Sequence, residues 1–313
     1  MNDLIIIGAG PGGYETAIEA AKRGLTVTLI NDGPLGGVCL NEGCIPTKTF
    51  CHYAGKEDFL FVASRKEAVV NQLRNGVAYL LNQPAITIVE GKASFKDNKT
   101  VVVNNEEFTA KDIIIATGSN SSMLPIPGAN LPIVMTSADV LALKELPHKL
   151  CVIGGGVIGL EMASYMHRFG AEVTVLEYAP EILPYFEAEI SKRLKAILSK
   201  QGIRIETDAQ VTAIDKEGVV TFLKKGTNNQ IVCDRVLMAV GRTSNVEGLN
   251  LERIGVPVTN KGVEIDENMQ TVVPHIYAIG DVNGTMMLAH VASFQGRRAL
   301  NHIQGQTDTI RFD

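Results

Sequence analysis

The sequence predicts an α/β protein built from two three-layer domains with mainly parallel sheets. A glycine-rich loop stands between a short apolar run and a helical stretch at residue 8, and the same order returns at residue 154. Short runs of apolar residues are typical of strands that are buried in parallel sheets. The length of 313 residues also suits about two domains.

The first glycine loop follows an apolar strand, Leu4–Ile7, and precedes a helical stretch and a second strand, Thr26–Ile30. In this setting the pattern G-x-G-x-x-G is typical of Rossmann-like dinucleotide-binding domains. Gly8 permits the tight turn, Gly10 lets a pyrophosphate approach the backbone, and Gly13 lets the helix pack on the strand. We therefore expect a dinucleotide at this loop.

The pattern returns with three further glycines, Gly154, Gly156 and Gly159. The strand after this second loop leads into Glu177, whose carboxylate can hydrogen-bond a ribose 2′-hydroxyl and would repel a 2′-phosphate. We therefore expect NAD(H) rather than NADP(H) at the second loop. At the first loop the same offset holds Asn31, followed by Asp32, and the sequence leaves open which of the two contacts the ribose.

The remaining segments alternate between helices and short strands, as in an α/β fold. A helix that carries Ile190, Leu194, Ile197 and Leu198 on one face is explained by core packing. The other predicted segments are a helix at Ala63–Leu81, a strand from Ile113 that leads into the turn Thr117–Gly118, a proline-rich linker at Leu124–Pro132, a strand at Val236–Val240 that closes at Gly241, a strand at Thr271–Asp281, and a helix at Leu288–Gln304.

Composition narrows the function classes. A net charge of −5 without charge clusters argues against nucleic-acid binding. Five cysteines in so long a chain are no disulfide scaffold, so we expect a reducing, cytoplasmic compartment. The N-terminal segment has no basic region of a signal peptide, and no apolar run approaches the ~18 residues of a membrane helix.

Two cysteines, Cys39 and Cys44, flank four residues just before a predicted helix. Pro46 suits the first turn of that helix, so Cys44 lies where the helix dipole favours a thiolate. Lys48 follows Cys44 by one helical turn and adds a positive charge on the same face. We expect a redox disulfide. A buried structural pair or half of a metal site remain the alternatives, although Cys51 and the other cysteines lack the usual spacing of zinc ligands, and we expect no metal.

Together these motifs resemble the flavoprotein disulfide reductases, or pyridine nucleotide-disulfide oxidoreductases, and among them most closely the dihydrolipoamide dehydrogenases. The resemblance covers essentially the whole chain. It implies FAD at the first loop and NAD(H) at the second, a Cys39–Cys44 disulfide with Cys44 on the flavin side, and an ion pair between Lys48 and Glu161 beside flavin and nicotinamide. It also matches Asp281 with an aspartate that hydrogen-bonds the flavin ribitol.

The resemblance implies an FAD domain at residues 1–118 and 243–313, interrupted by an NAD domain at 119–242. The segment Leu288, Ala289 and His290 matches a helix start beside the isoalloxazine ring, although His290 is not assigned to catalysis. Without the resemblance, Asp281 could be a helix N-cap, and Lys48 and Glu161 could be solvated charges. The expected cofactor-binding residues are Gly8, Gly10, Gly13, Asn31, Asp32, Gly37, Lys48, Thr117, Gly118, Gly154, Gly156, Gly159, Glu177, Gly241, Gly280, Asp281, Leu288, Ala289 and His290.

The implied activity is FAD-dependent electron transfer between NAD(H) and a small disulfide or a protein-bound lipoyl group. The chain ends at Asp313, where the family continues into a C-terminal interface domain that supplies dimer contacts and a His–Glu dyad. We therefore expect impaired turnover with lipoamide, unless a second copy or a partner protein supplies the missing wall. The alternatives are a flavin-bound redox sensor or interaction module, or an NADH diaphorase.

Overall fold

The computed structural model describes residues 2–306. The C-terminal end at Asp313, on which the expectation of an absent interface domain rests, lies outside the described residues. The chain divides into two compact units. Unit 1 comprises residues 2–41, 70–120 and 243–306, and unit 2 comprises residues 42–69 and 121–242. Among residues 2–306 no helix is both long and apolar enough to span a membrane.

The described residues form strands and helices in the alternating order of an α/β fold. The strands are β1 Asn2–Ile7, β2 Val27–Asn31, β3 Ile86–Glu90, β4 Ser94–Phe95, β5 Thr100–Val103, β6 Glu106–Ile115, β7 Ser119–Ser121, β8 Val134–Met135, β9 Lys149–Ile153, β10 Glu172–Leu176, β11 Arg204–Glu206, β12 Ala209–Ile214, β13 Val219–Lys224, β14 Thr227–Val232, β15 Arg235–Met238, β16 Arg242–Ser244 and β17 Ile276–Ala278. The helices are α1 Pro11–Lys22, α2 Gly37–Glu42, α3 Cys44–Tyr53, α4 Phe59–Leu81, α5 Ser137–Leu141, α6 Val157–Arg168, α7 Ala188–Lys200 and α8 Ala289–Ile303. Leu251–Ile254 and Gly280–Asn283 are 3₁₀ turns.

Unit 1 contains a seven-stranded sheet. Its parallel part has the order β3-β2-β1-β6-β17, and β5 and β4 continue it as antiparallel strands from the first half of β6. In β1 the register places Ile7 beside Ile30 and Ile115, so three strands end together at the glycine loop. The carboxyl ends of parallel strands are where doubly wound folds bind ligands.

Unit 2 contains a parallel five-stranded sheet with the order β11-β10-β9-β15-β8 and a separate antiparallel sheet, β12-β13-β14. The parallel sheet repeats the order of unit 1, since β9, β10, β11 and β15 correspond to β1, β2, β3 and β6. The fifth position is filled differently: β17 comes last in its unit, whereas β8 precedes the other four strands. The two-domain α/β prediction is confirmed.

Apolar burial explains why residues 42–69 belong to unit 2, whereas the sequence-based division groups them with the first domain. Phe50 on α3 and Phe59 on α4 are buried in the same core as Tyr165 on α6. The ring of Phe50 stacks on Phe59 and Tyr165 with centroid separations of 5.5 and 5.2 Å. Aromatic side chains bury large apolar areas, so this cluster holds the segment in unit 2.

The segment Thr271–Asp281, predicted as one strand, is a strand only at β17. Pro274 has no backbone N–H to donate, and His275 has a φ of +70°, which no strand accommodates. The short helix α2, which carries Cys39, was missed because six residues are too few for a helical period to show. The other predicted helices and strands are present, with ends that differ by a few residues, except that the strand expected from Ile113 begins at Glu106.

Candidate functional site

The first glycine loop is packed so closely that two of its glycines admit no side chain. Gly8 has a φ of +109°, and a Cβ atom there would lie 2.3 Å from the Ala116 carbonyl oxygen. A Cβ on Gly13 would lie 1.8 Å from the Gly8 oxygen. Gly10 differs, because the nearest heavy atom to its Cβ position is Gly37 Cα at 4.0 Å. Close backbone packing therefore requires glycine at positions 8 and 13, whereas the missing side chain at Gly10 leaves open space beside the loop.

The end of β2 is fastened to this loop by an amide. Asn31 is buried, its Oδ1 accepts a hydrogen bond from the Ala9 N–H at 3.0 Å, and its Nδ2 donates to the Gly33 oxygen at 2.5 Å. Asp32 is exposed and lies 3.9 Å from the Lys92 ammonium. Asn31 therefore holds the loop, and Asp32 faces solvent.

The second glycine loop repeats this packing in unit 2. Gly154 has a φ of +111°, and its Cβ would lie 2.3 Å from the Ala239 oxygen. A Cβ on Gly159 would lie 2.1 Å from the Gly154 oxygen, whereas nothing lies within 4 Å of the Cβ position of Gly156. In both loops, therefore, the first and third glycines of the pattern are closely packed, and the second has open space at its Cβ position.

A carboxylate replaces the amide at the end of β10. Glu177 is 9% exposed. Its Oε2 accepts from the Gly155 N–H at 2.5 Å and its Oε1 from the Ala179 N–H at 2.6 Å. Each carboxylate oxygen has more than one acceptor position, so both can still accept from a ligand hydroxyl.

Both loops fit the pyrophosphate of a dinucleotide. Each leads into a helix of 12 residues, α1 or α6, whose N-cap glycine provides no side-chain hydrogen bond to the first turn. The N–H groups of such a turn and the helix dipole attract an anion. The open positions at Gly10 and Gly156 lie at these N-termini. Both sites therefore have the space and the donors that the group requires.

A disulfide joins Cys39, on α2, to Cys44, the first residue of α3. Cys44 is exposed and Cys39 is half-buried. Once the bond is reduced, the Cys44 thiol lies at a helix N-terminus, where the dipole stabilises a thiolate. The pairing rules out half of a metal site for these two sulfurs in the oxidised protein. Among residues 2–306 no group of three or more His, Cys, Asp or Glu side chains is placed to hold a metal ion.

Lys48 on α3 forms an ion pair and hydrogen bond with Glu161 on α6, 113 residues away. The Lys48 side chain is 61% exposed and that of Glu161 34%, so the pair faces solvent. Cys51 is one turn beyond Lys48. Burial raises the pKa of the Cys51 thiol, the Glu161 carboxylate raises it further, and Lys48 and Arg168 oppose this. A smaller fraction of Cys51 is therefore present as thiolate at neutral pH than for an ordinary thiol.

The turn after β6 is tied to the segment that follows β16. The Thr117 Oγ1 donates to the Asn245 oxygen at 2.6 Å, and the Asn245 N–H donates to the Gly118 oxygen at 2.9 Å. Gly118 itself has a φ of +72°. In unit 2, Gly241 has a φ of +124°, and its oxygen accepts from the Ser122 N–H. These positive φ values explain the glycines without reference to a ligand.

Asp281 lies in the 3₁₀ turn after β17. Its Oδ2 accepts a hydrogen bond from the Ser119 hydroxyl at 2.5 Å, and its backbone oxygen accepts from the Ser244 hydroxyl at 3.0 Å. Gly280, with a φ of +72°, precedes it. Hydrogen bonds thus fix both the carboxylate and the backbone oxygen of Asp281 in unit 1. Asp281 is not the N-cap of α8, because Leu288 occupies that position.

The start of α8 presents exposed side chains. Leu288 is its N-cap, Ala289 its first residue, and His290 is exposed. The sequence reasoning missed Asn245 and Ser119, although Ser119 directly follows the predicted turn. It also missed Gln295, a polar residue among the buried positions of α8. A polar residue on the apolar face of a helix is a signal that could have found it.

Comparison with known proteins gives consistent matches. The family model for pyridine nucleotide-disulphide oxidoreductases matches residues 2–296. A dihydrolipoyl dehydrogenase from Acholeplasma laidlawii is 40% identical, with 96% of each chain covered. One from Bacillus subtilis is 37% identical over 97% of this chain and 72% of its own length. The solved structure of the HOCl-induced flavoprotein disulfide reductase RclA from Escherichia coli superposes with a TM-score of 0.91 at 35% identity, over 98% of this chain and 72% of that one.

Proposed function

The chain belongs to the pyridine nucleotide-disulphide oxidoreductase family, and we propose that its Cys39–Cys44 disulfide is the redox centre of a dihydrolipoyl dehydrogenase-like flavoprotein disulfide reductase. Members of this family use FAD and NAD(H). The observation that carries the proposal is the disulfide itself, with an exposed Cys44 at the N-terminus of α3. A structural disulfide needs no accessible sulfur, whereas a disulfide that a flavin reduces needs one sulfur within reach of the reductant, and a helix N-terminus stabilises the thiolate that forms there.

The exchange chemistry follows from the two sulfurs. Reduction of the Cys39–Cys44 bond takes two electrons and two protons and leaves two thiols. The Cys39 thiolate attacks a substrate disulfide, forms a mixed disulfide and releases one substrate thiol. The Cys44 thiolate then attacks Cys39, re-forms the bond and releases the second substrate thiol. We assign Cys44 to the flavin side and Cys39 to the substrate side, in line with the family resemblance.

The cofactors are assigned to the two glycine loops. When bound, FAD supplies two-electron transfer between NAD(H) and the disulfide. In unit 1 the open space at Gly10, the N-terminus of α1 and the carboxylate of Asp281 support an FAD site. In unit 2 the space at Gly156 and the carboxylate of Glu177 support a site for NAD(H) rather than NADP(H). The division into an FAD domain at 1–118 and 243–313 and an NAD domain at 119–242 is part of this proposal.

The Lys48–Glu161 pair is proposed to lie beside the cofactors. The substrate that we propose is a small disulfide or a protein-bound lipoyl group, and the working form is proposed to be a homodimer or a complex with a partner protein, which light scattering distinguishes from a monomer. A cytoplasmic location is proposed because Cys51, Cys151 and Cys233 are free thiols.

Anaerobic titration with NADH tests the redox centre. The wild-type protein, which holds FAD and the disulfide, is expected to consume about two NADH per FAD, and Cys44→Ser about one. Absorbance at the flavin band and at the NADH band gives both quantities. Equal consumption by both proteins, or purified protein without flavin, would overturn the proposal.

Cys51→Ser is the matched control, because Cys51 is a free thiol on the same helix. It is expected to consume as much NADH as the wild type. Steady-state turnover with a disulfide substrate separates a reductase from a redox sensor, since a sensor is reduced once and then reacts slowly.

A further inference from the structure

Gln295 is a buried amide in unit 1 that none of the roles above explains. It lies on α8 and is 3% exposed. Its Oε1 accepts hydrogen bonds from the Gly280 N–H at 2.6 Å and from Asn283 Nδ2 at 2.9 Å. Its Nε2 donates to the Thr285 Oγ1 at 3.1 Å. One side chain of α8 thus holds three residues of the segment that follows β17.

Asn283 and Thr285 close the arrangement into a ring with Gln295. Asn283 is 4% exposed; its Nδ2 also donates to the Ala278 oxygen at 3.1 Å, and its Oδ1 accepts from the Thr285 hydroxyl at 2.6 Å. The Thr285 N–H donates to the same Oδ1 at 3.1 Å. Because backbone N–H groups can only donate and a backbone oxygen can only accept, they fix which end of each amide is oxygen.

This amide ring, Gln295–Asn283–Thr285, holds residues on both sides of Asp281. Gly280, bonded to Gln295, directly precedes Asp281, and the Asp281 oxygen accepts from the Gly284 N–H at 3.0 Å. Ser119 and Ser244 hold the carboxylate and the carbonyl of Asp281 from other elements. Hydrogen bonds therefore fix the backbone on both sides of Asp281, and with it the position of the Cα atom from which the side chain extends.

We propose that Gln295 is a positioning residue for FAD, which acts by holding Gly280 and Asn283 so that the Asp281 carboxylate is oriented toward the bound cofactor. The inference rests on the proposed contact between Asp281 and FAD. Gln295 itself touches neither reacting atoms nor cofactor in this assignment. Its effect on FAD must then pass through Asp281, and that is measurable.

A double-mutant cycle on the holoenzyme tests the route. FAD release after dilution is followed by the fluorescence of free flavin in the wild type, Gln295→Met, Asp281→Asn and the double variant. Methionine keeps the size of the side chain and removes its hydrogen bonds. We expect release to be about ten-fold faster in Gln295→Met than in the wild type, but less than about two-fold faster when Asp281→Asn is already present.

The outcomes separate the two proposals. An unchanged release rate in Asp281→Asn overturns the FAD contact, and the inference with it. Faster release in Asp281→Asn, combined with the same ten-fold effect of Gln295→Met in both backgrounds, leaves the contact standing and overturns the inference alone.

Two further variants keep the test valid if Gln295→Met folds poorly. Thr285→Val removes the hydroxyl from the ring and keeps the Gln295–Gly280 bond. FAD release is therefore expected to accelerate less than in Gln295→Met, and this acceleration should again disappear in Asp281→Asn.

Leu300→Val is the stability control, because it alters a fully buried apolar residue of the same helix. It is expected to lower stability and to leave release within about two-fold of the wild type. Release from Leu300→Val as fast as from Gln295→Met would show a general structural effect and overturn the inference.

Discussion

The glycine loop of unit 1 is anchored by an amide, and the glycine loop of unit 2 by a carboxylate. Asn31 accepts from the Ala9 N–H at the end of β2, and Glu177 accepts from the Gly155 N–H directly after β10. The backbone geometry therefore needs only an acceptor at this position, not a charge. A neutral amide retains one donor and one acceptor position, whereas the carboxylate retains acceptor capacity on two oxygens and a negative charge. The comparison teaches that one loop geometry accepts anchors of different charge.

The largest effect is expected from alanine at the closely packed glycines. Gly13→Ala and Gly159→Ala would place Cβ 1.8 and 2.1 Å from backbone oxygens. Each is expected to lower the free energy of unfolding by more than about 3 kcal/mol, because backbone atoms must move. Urea unfolding measures the loss. A wild-type midpoint in either variant would contradict the packing, and a large loss in only one would break the equivalence of the loops.

Gly10→Ala and Gly156→Ala sharpen the same comparison, because they separate binding from folding. Both glycines have extended backbone, with φ of −71° and −78°, and their Cβ positions are open. Stability is expected to change by less than about 1 kcal/mol. The added methyl group would stand where the pyrophosphate approaches, so binding of FAD or NADH should weaken at least about ten-fold. Flavin content and NADH titration check each site, and unchanged binding at both would remove the pyrophosphate assignment.

The anchors themselves should differ in their effect on nucleotide choice. Glu177→Gln removes the charge that repels a 2′-phosphate, so the preference for NADH over NADPH is expected to fall roughly ten-fold. The ratio of the two kcat/KM values measures this preference. Asn31→Asp is the matched control, since it adds a charge at the equivalent anchor and is expected to leave the ratio unchanged. A change in the ratio from Asn31→Asp, or none from Glu177→Gln, would mean that the anchor does not select the nucleotide.

The smallest effect concerns stability at acid pH. Protonation of one carboxylate in each unit is expected to lower the free energy of unfolding. A hydrogen bond from Lys111 holds the pKa of Asp3 in unit 1 well below its usual range, with Thr26 adding to the effect. A hydrogen bond from Lys224, then one from Arg204, lowers the pKa of Glu206 in unit 2. Folding depresses both pKa values. The stabilisation from these two carboxylates is therefore fully present above the ordinary carboxyl pKa of about 4, and it is lost as the pH falls through their pKa values in the folded protein.

Asp3→Asn and Glu206→Gln are each expected to cost under about 1 kcal/mol at pH 7, because both ion pairs are partly exposed. Both variants should lose less stability than the wild type on acidification. Urea midpoints measured between neutral pH and about pH 2 check this. A wild-type acid slope in both variants would show that neither pair contributes.

Local patterns determined much of the protein. The glycines at 8, 13, 154 and 159 are required by steric contacts within a few residues, so their spacing alone predicted two strand–loop–helix units. The spacing of the two cysteines and Pro46 is also a local pattern, and it predicted a disulfide at the start of a helix. His275 shows the limit, because its left-handed backbone beside Pro274 lets β17 begin only at Ile276, whereas the apolar pattern predicted a strand from Thr271.

Tertiary structure decided the contacts between distant parts of the sequence. Ser119 donates to Asp281 across 162 residues, and no sequence pattern records this pairing. The Lys48–Glu161 pair, 113 residues apart, was expected only from the family resemblance. The sheet order likewise puts β8 where β17 stands in the other unit. Such choices depend on the packing of whole strands and helices, whose free energy is shared among many residues. The sequence by itself therefore determined the loops and the redox pair, and only the folded chain decided what holds Asn31, Glu177 and Asp281 in place.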